Sequence, residues 1–305
     1  MLPCLLSLLC TTATIMSASA FSPPVHLTGA SAPFPSGLSA QPTAASSNGG
    51  GAIKQHLDYT PDTDGCFQHR LSALQAPREG EHTVEPNFAL VMVNYKLDKP
   101  LLHRLWPKAT TRICADGAIN RLYKLFDTDE EREKFIPDYL RGDLDSVEED
   151  MRTFYTSRGT KLTIDTDQDT TDLQKCMYLI QTLDVKIDQV VVLGAFGGRI
   201  DHEFSHYAIL YKFPQANIVL LSHKRVAFLL KQGTHQIYDT HMGSMCGLVP
   251  IGSAVRNVET SGLEWEVKGK EMSFSGLVST SNQFVSSPVS VRTTDPILWV
   301  AEVKH

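Results

Sequence analysis

Arg141-Gly142-Asp143-Leu144-Asp145-Ser146 and Asp165-Thr166-Asp167-Gln168-Asp169-Thr170-Thr171-Asp172 place six carboxylates within thirty residues. Asp143 and Asp145 are two apart, and on an extended segment that spacing puts both side chains on one face. Carboxylates held so close repel unless a cation lies between them or one takes a proton. Hard oxygen ligands suit Mg²⁺, which takes one or two carboxylates and completes its shell with water and phosphate. The chemistry expected is a Mg²⁺–phosphate site. The first segment alone reads equally as an acidic turn capping a helix, since Asp and Ser are ordinary turn and N-cap residues. The second cluster tips the reading towards metal.

The elements around these segments alternate. Residues 88–94 are a continuous apolar run, the pattern of a buried parallel strand. Further strands are expected at 111–117, 161–164, 189–194, 218–221 and 226–230. Helices are expected at 101–106, 118–126, 147–158, 171–183 and 202–211, with Ser146 as the N-cap of the third. This alternation predicts an α/β catalytic domain with a largely parallel sheet over 86–230. Asp116, Asp143, Asp145, Asp167 to Asp172 and Gly194 to Asp201 all follow strands. In open α/β sheets the ligand crevice lies outside the carboxyl ends of the strands, so these loops are expected to converge. From 231 to 305 the chain breaks into short strands at 235–238, 245–251, 255–258, 263–267, 271–274, 289–292 and 297–300, separated by Gly and Ser turns. This predicts an all-β sandwich.

The bulk properties narrow the function. The 305-residue chain is 42% hydrophobic and 20% charged, ordinary for a globular protein. Its net charge of −6 and pI of about 6.0 argue against a nucleic-acid partner. Cys4, Cys10, Cys66, Cys114, Cys176 and Cys246 form no C-x-x-C pair, so neither a zinc ribbon nor a disulfide framework is expected. Residues 1–85 read as a targeting leader and disordered linker. The apolar start ends in Ala18-Ser19-Ala20-Phe21, is too short and too rich in Ser and Thr for a membrane span, and runs into an acid-free Ser/Ala/Pro stretch. That order resembles the two-part presequences of algae with secondary plastids. An ordinary secretory leader and a disordered tail on a cytoplasmic protein are the alternatives.

Three further motifs bear on chemistry. Gly194-Ala195-Phe196-Gly197-Gly198-Arg199-Ile200-Asp201 joins a strand to a helix, where glycines let backbone N–H groups approach an anion and Arg199 can grip phosphate. The alternative is a plain glycine turn with Arg199 and Asp201 paired to each other. His202-Glu203-Phe204-Ser205-His206 matches H-E-x-x-H, a zinc-peptidase signature. Without a clear third ligand, and directly after a glycine loop, these histidines read as ordinary helix residues. Ser279-Thr280-Ser281-Asn282 offers donors and acceptors for a heteroaromatic ring, or is a turn. Trp265 and Trp299 read as core.

Together, Cys114-Ala115-Asp116-Gly117, Gly142 to Ser146, Asp167 to Asp172 with Lys175-Cys176, Gly194 to Asp201, and Gly276 to Asn282 resemble the thiamine pyrophosphokinases, in family order over about 88–305. The resemblance implies transfer of the pyrophosphoryl group of ATP to thiamine, with Mg²⁺ and a homodimer whose active site is shared across the interface. It implies Mg²⁺ ligation by Asp143, Asp145 and Asp172 with Asp116 close by. It implies nucleotide or phosphate contacts from Gln168, Thr171, Gly197, Gly198, Arg199 and Asp201, and thiamine contacts from Ser279, Thr280, Ser281 and Asn282. Ala118-Ile119 and Thr166 depart from the family pattern without touching a carboxylate. A zinc metallopeptidase and a thiamine-binding module without catalysis are the rival readings.

Overall fold

The computed structural model describes residues 57, 59–70, 86–238 and 242–303. The leader and the Ser/Ala/Pro stretch lie outside the described residues. The first strand falls where the sequence suggested a structureless linker: β1 (Cys66–Arg70). The α/β region follows as β2 (Phe88–Met92), α1 (Lys99–Leu105), β3 (Thr111–Ala115), α2 (Ala118–Lys124), α3 (Asp129–Arg132), β4 (Tyr139–Gly142), α4 (Glu149–Thr156), β5 (Lys161–Ile164), α5 (Asp172–Thr182), β6 (Gln189–Leu193), α6 (Ile200–Lys212), β7 (Ile218–Ser222) and β8 (Arg225–Leu230). The rest is strand: β9 (Gly233–Tyr238), β10 (Met245–Val249), β11 (Val255–Ser261), β12 (Lys268–Met272), β13 (Ser279–Gln283), β14 (Val289–Thr293) and β15 (Ile297–Glu302).

One ten-stranded sheet runs through both halves in the order β13-β10-β15-β8-β7-β6-β2-β3-β4-β5. Strands β5, β4, β3, β2, β6 and β7 are mutually parallel, and pairing turns antiparallel from β7 onward. The parallel strands are apolar on both faces because both faces are covered. Along β2, Phe88, Leu90 and Met92 face a core containing α1, α2 and α4, while Ala89 and Val91 face α5 and α6. A second sheet, β1-β9-β14-β11-β12, packs on the antiparallel end. Ile237, Val258 and Val291 of this sheet share one core with Phe228, Leu248 and Trp299 of the long one, which is the expected sandwich. Its strands extend the α/β sheet: β15 pairs with β8 over six residues, from Ile297↔Leu230 to Glu302↔Arg225.

Strand β1 was hidden by the polarity of its neighbours. Phe67 and His69 alternate inward between exposed or half-buried residues, a period of two too short to register in a polar segment. The strand pairs in parallel with β9. His69 and His235 meet at 3.0 Å, Nε2 to Nδ1, and His235 Nε2 donates to the Lys231 carbonyl at 2.8 Å. That carbonyl can only accept, so His235 Nδ1 is the acceptor and His69 Nε2 the donor. Burial holds both rings below the ordinary histidine range, His69 well below it and His235 at about 4. The pair is therefore a neutral, satisfied buried link.

Other expectations shift. Helix α4 starts at Glu149 rather than 147, and its N-cap is Glu148 without a side-chain bond, so Ser146 does not cap it. Residues 263–267 are no strand, only an isolated bridge between Leu263 and Phe284. The Glu266 carboxylate accepts from the N–H groups of Gly262 and Leu263 at 2.7 and 3.0 Å and bends the segment back on itself. Trp299 is core, but Trp265 is 59% exposed. The described cysteines are free thiols, and Cys114, Cys176 and Cys246 are buried.

Phe67 anchors β1 by stacking on His235 with ring centroids 4.8 Å apart. Phe67→Ala is expected to cost about 3 kcal/mol. Calorimetry is expected to read this as a Tm lower by roughly 6 °C or more. An unchanged Tm would mean that β1 adds nothing to the sandwich.

Candidate active site

The carboxyl ends of the parallel strands open into a cleft of about 300 Å³. Val93 and Asn94 line it after β2, Asp116 after β3, Asp143, Asp145 and Ser146 after β4, and Gln168, Thr170 to Leu173 and Lys175 from the β5–α5 loop into α5. His202, Ser205 and His206 line it from α6. The segments expected to converge do so, at the crevice where strand order departs from β2 to either side.

Asp116, Asp143 and Asp145 each offer a carboxylate oxygen within 4.8 Å of the others. The expected set Asp143, Asp145 and Asp172 lines this one cleft, and Asp116, expected close by, comes within reach of Asp143 and Asp145. The reason is pairing: β3 and β4 run side by side in register, Ala115 opposite Arg141, so the residues after them emerge together. The approach is close enough that a Cβ on Gly142 would lie 2.8 Å from Asp116 Cβ. Asp143 and Asp145 do not share a face of an extended strand as their spacing suggested. Leu144 between them has φ 69° and Asp116 has φ 45°, left-handed conformations in which a side chain is strained. The two carboxylates meet through a turn, closed by the Asp145 N–H donating to Asp143 Oδ1 at 3.4 Å.

The electrostatics divide the acids. Asp116 is 3% exposed, its Oδ1 is buried without a hydrogen-bond partner, and burial raises its pKa with help from the charges of Asp145 and Asp143. Asp143 is held below the ordinary range, chiefly by Gln168 Nε2 donating to its Oδ2 at 2.9 Å. Asp172 opens α5 and is pushed up to about 6 by burial first and then by the Asp116 charge, against the pull of Lys175. Lys175 is 2% exposed, and its Nζ stands 3.6 Å from both Asp143 Oδ2 and Asp172 Oδ1. It is the buried cation that lets the two carboxylates coexist, and as one residue in a helical pattern it stood out only beside its acidic neighbours.

Several residues expected to touch ligand also make contacts within the chain, Gln168 and Thr171 from the lining of the cleft itself. Gln168 holds Asp143. Thr171 is the N-cap of α5, its hydroxyl accepting from the Gln174 N–H at 3.3 Å. Asp165 pairs with Arg141, and Asp167 accepts from the Asp169 N–H and the Thr170 hydroxyl, both at 2.9 Å. Gly197, Gly198, Arg199 and Asp201 do not line the cleft. Arg199 and Asp201 bind each other, Nε to Oδ1 at 3.1 Å, at an exposed position. The Gly197 N–H donates to Glu203 Oε2 at 2.8 Å rather than waiting for an anion. Gly197 (φ 98°) instead lets the loop lie against the Tyr95 ring, where a Cβ would come within 2.7 Å.

Ser279, Thr280 and Ser281 line a second pocket of about 370 Å³ with Phe196, Arg225 and Met245, and Glu203 and Tyr207 of α6 border it. Ser281 has φ 56°. Asn282 is not part of that lining. It is buried, its Nδ2 donating to the Trp265 carbonyl at 2.7 Å and its Oδ1 accepting from the Trp265 N–H at 3.1 Å. Both ends of the amide hold the Trp265 backbone, and Nδ2 also reaches Ser279 Oγ at 3.4 Å. The H-E-x-x-H motif is split as well. The histidines face the acidic cleft, while Glu203 turns to Gly197 and to the Tyr207 hydroxyl at 3.1 Å. A zinc peptidase needs that glutamate beside its metal-bound water, so the motif is not one.

Two family models match the chain, in the order of its two halves. One describes the catalytic domain of thiamin pyrophosphokinase and covers residues 102–221. The other describes the vitamin B1 binding domain of thiamin pyrophosphokinase and covers 234–298. Thiamine pyrophosphokinase 2 of Arabidopsis thaliana is 39% identical over 242 residues, which span 73% of this chain and 89% of that protein. Thiamine pyrophosphokinase of Saccharomyces cerevisiae is 30% identical over 289 residues, spanning 76% and 89%. The crystal structure of yeast thiamin pyrophosphokinase superposes with a TM-score of 0.67 at 26% identity, covering 78% of this chain and 91% of that one. The first model spans the acidic cleft and the second the serine strand, and with relatives matched over most of their length the chain belongs to the thiamine pyrophosphokinase family.

Proposed function

We propose that this chain transfers the pyrophosphoryl group of ATP to the hydroxyethyl oxygen of thiamine, giving thiamine diphosphate and AMP. The observation that carries the reading is the trio Asp116, Asp143 and Asp145, three carboxylate oxygens within 4.8 Å at the mouth of a parallel sheet. The thiamine oxygen attacks the β-phosphorus. The new O–P bond forms as the bond from that phosphorus to the α-β bridging oxygen breaks, and AMP departs with the electron pair while the hydroxyl proton is released. Such transfers are catalysed by positioning and charge neutralisation.

The trio fits a divalent cation. Asp116 Oδ1 is buried and lacks a hydrogen-bond partner, and three acceptor-only oxygens face one another. Mg²⁺ held there would neutralise charge on the polyphosphate. The chain's own groups fix the geometry: Gln168 orients Asp143, Lys175 separates Asp143 from Asp172, and the strained turn at Leu144 aims Asp145. Arg199 takes part only by exchanging Asp201 for phosphate, as an arginine paired at the surface can. Thiamine is a cation with two flat rings. The serine pocket, bordered by Glu203 and Tyr207, and the indole of Trp265 suit it, since a cation is attracted to a carboxylate and to an aromatic face.

The reading includes a homodimer. Strand β13 stands eight places from β4 in the sheet. Helix α6 stands between the two pockets, contributing His202, Ser205 and His206 to one and Glu203 and Tyr207 to the other. A second copy supplying its serine strand to this cleft would bring acceptor and donor together.

Incubation with thiamine and Mg-ATP is expected to release AMP only when thiamine is present. Thiamine binding without AMP release would identify a binding module instead. Asp143→Asn is expected to lower kcat by about a thousandfold or more with the Tm little changed. Wild-type turnover in that variant would sink the metal assignment.

Asp172 gives a pH signature. Its folded pKa of about 6 lies above the ordinary 3.8, so the folded state binds the proton more tightly than the unfolded one. Ionised Asp172 therefore destabilises the metal-free protein above about pH 6, and the penalty is relieved as pH falls from there towards 4. Asp172→Asn is expected to raise the Tm of the chelator-treated protein at pH 7.5, with the gain shrinking to nothing near pH 4. A gain that is absent at pH 7.5 or independent of pH contradicts the assignment.

A further inference from the structure

The proposed transfer leaves one motif unused, the histidine pair of α6. His202 and His206 are one helical turn apart, and both line the acidic cleft. His206 Nδ1 lies 2.8 Å from the Ala195 carbonyl oxygen. A carbonyl can only accept, so Nδ1 carries the proton and Nε2 keeps its lone pair. Metal-bound imidazoles are held in this way, one ring nitrogen donating to a backbone carbonyl and the other facing the ion. Burial also holds the His206 ring below the ordinary histidine pKa. His202 is exposed on the same side of the helix, and Glu203 is turned away to Gly197 and Tyr207.

The two walls of the cleft thus differ in ligand chemistry. The trio offers oxygen alone, which suits Mg²⁺. The α6 wall offers imidazole nitrogens, which favour Zn²⁺, Co²⁺ or Ni²⁺ over Mg²⁺. We propose that the cleft contains a second cation position, separate from the carboxylate trio, at which His202 and His206 take a borderline divalent ion such as Zn²⁺. Water or a polyphosphate oxygen completes its shell. The ion has no peptidase base beside it, so it is a binding position in the nucleotide cleft and not a hydrolytic centre.

The test is metal uptake by the full chain, read without any turnover. Protein stripped with chelator is returned to buffer containing excess Mg²⁺ and titrated with Zn²⁺ by calorimetry. A parallel titration with Co²⁺ follows the visible d–d bands that report nitrogen ligands. One equivalent is expected to bind despite the Mg²⁺, and His202→Ala and His206→Ala are each expected to weaken it by about tenfold or more. Asp143→Asn is expected to retain it. His202 is exposed, so His202→Ala keeps the fold, as its Tm will report. No uptake in the presence of Mg²⁺, uptake that either histidine variant retains in full, or uptake lost in Asp143→Asn overturns the proposal. Because uptake is measured without thiamine or ATP, each of these results leaves the pyrophosphoryl-transfer reading standing.

Discussion

The site depends on holding like charges together where two neighbouring parallel strands end. Asp116 follows β3 and Asp143 follows β4, and the register Ala115↔Arg141 delivers them side by side. Their closeness is therefore set by the spacing of hydrogen-bonded strands, which no side-chain rearrangement can relax. The fold answers the repulsion locally. The Gln168 amide donates to Asp143, the buried Lys175 ammonium stands between Asp143 and Asp172, and burial above all, with the neighbouring carboxylates, raises the pKa of Asp116 and Asp172. Charge that the chain leaves uncompensated is charge that a cation can bind.

The β-rich half is joined to this site by the sheet itself. The pairing of β8 with β15 carries the sheet from parallel to antiparallel, and the smaller sheet then closes over it. The continuous core explains why a chain with two family domains has no linker between them. Phe228 and Trp299 on the long sheet pack against residues of the short one, so neither sheet buries its inner face without the other. Strand β1 extends that dependence to residues ahead of both matched domains, through Phe67 and the His69–His235 link.

What was legible in the sequence was whatever sequence neighbours decide. The apolar runs at 88–92 and 189–193 marked buried parallel strands, and the acids after β4 and β5 marked the cleft, because each signal lies within a few residues. What was not legible depended on partners far along the chain. Asp116 enters the trio only through strand pairing, and Lys175 acquires its meaning only where α5 meets the end of β4. The left-handed turn at Leu144 replaced an extended segment of the same spacing, since residue types alone do not reveal a positive φ outside glycine. Large aromatics usually pack in the core, yet the Glu266 carboxylate and the Asn282 amide hold the loop of the exposed Trp265 in place.

A pattern runs through these cases. Polar residues that family resemblance puts near a ligand also bind other residues of the chain: Gln168 binds Asp143, Asn282 binds Trp265, and Thr171 caps the helix that carries Asp172. Helix α6 shows why such second contacts matter. The Glu203 carboxylate takes the Gly197 N–H and His206 donates to the Ala195 carbonyl, so two side chains one turn apart tie the helix to the loop that launches it. Packing alone fixes a helix's position better than its rotation about its own axis. Two hydrogen bonds to one loop, made from neighbouring positions one turn apart, fix the rotation as well. Which of α6's side chains look into the acidic cleft and which towards the serines is therefore decided by backbone groups of the glycine loop, and this gives that loop a role that needs no direct contact with phosphate.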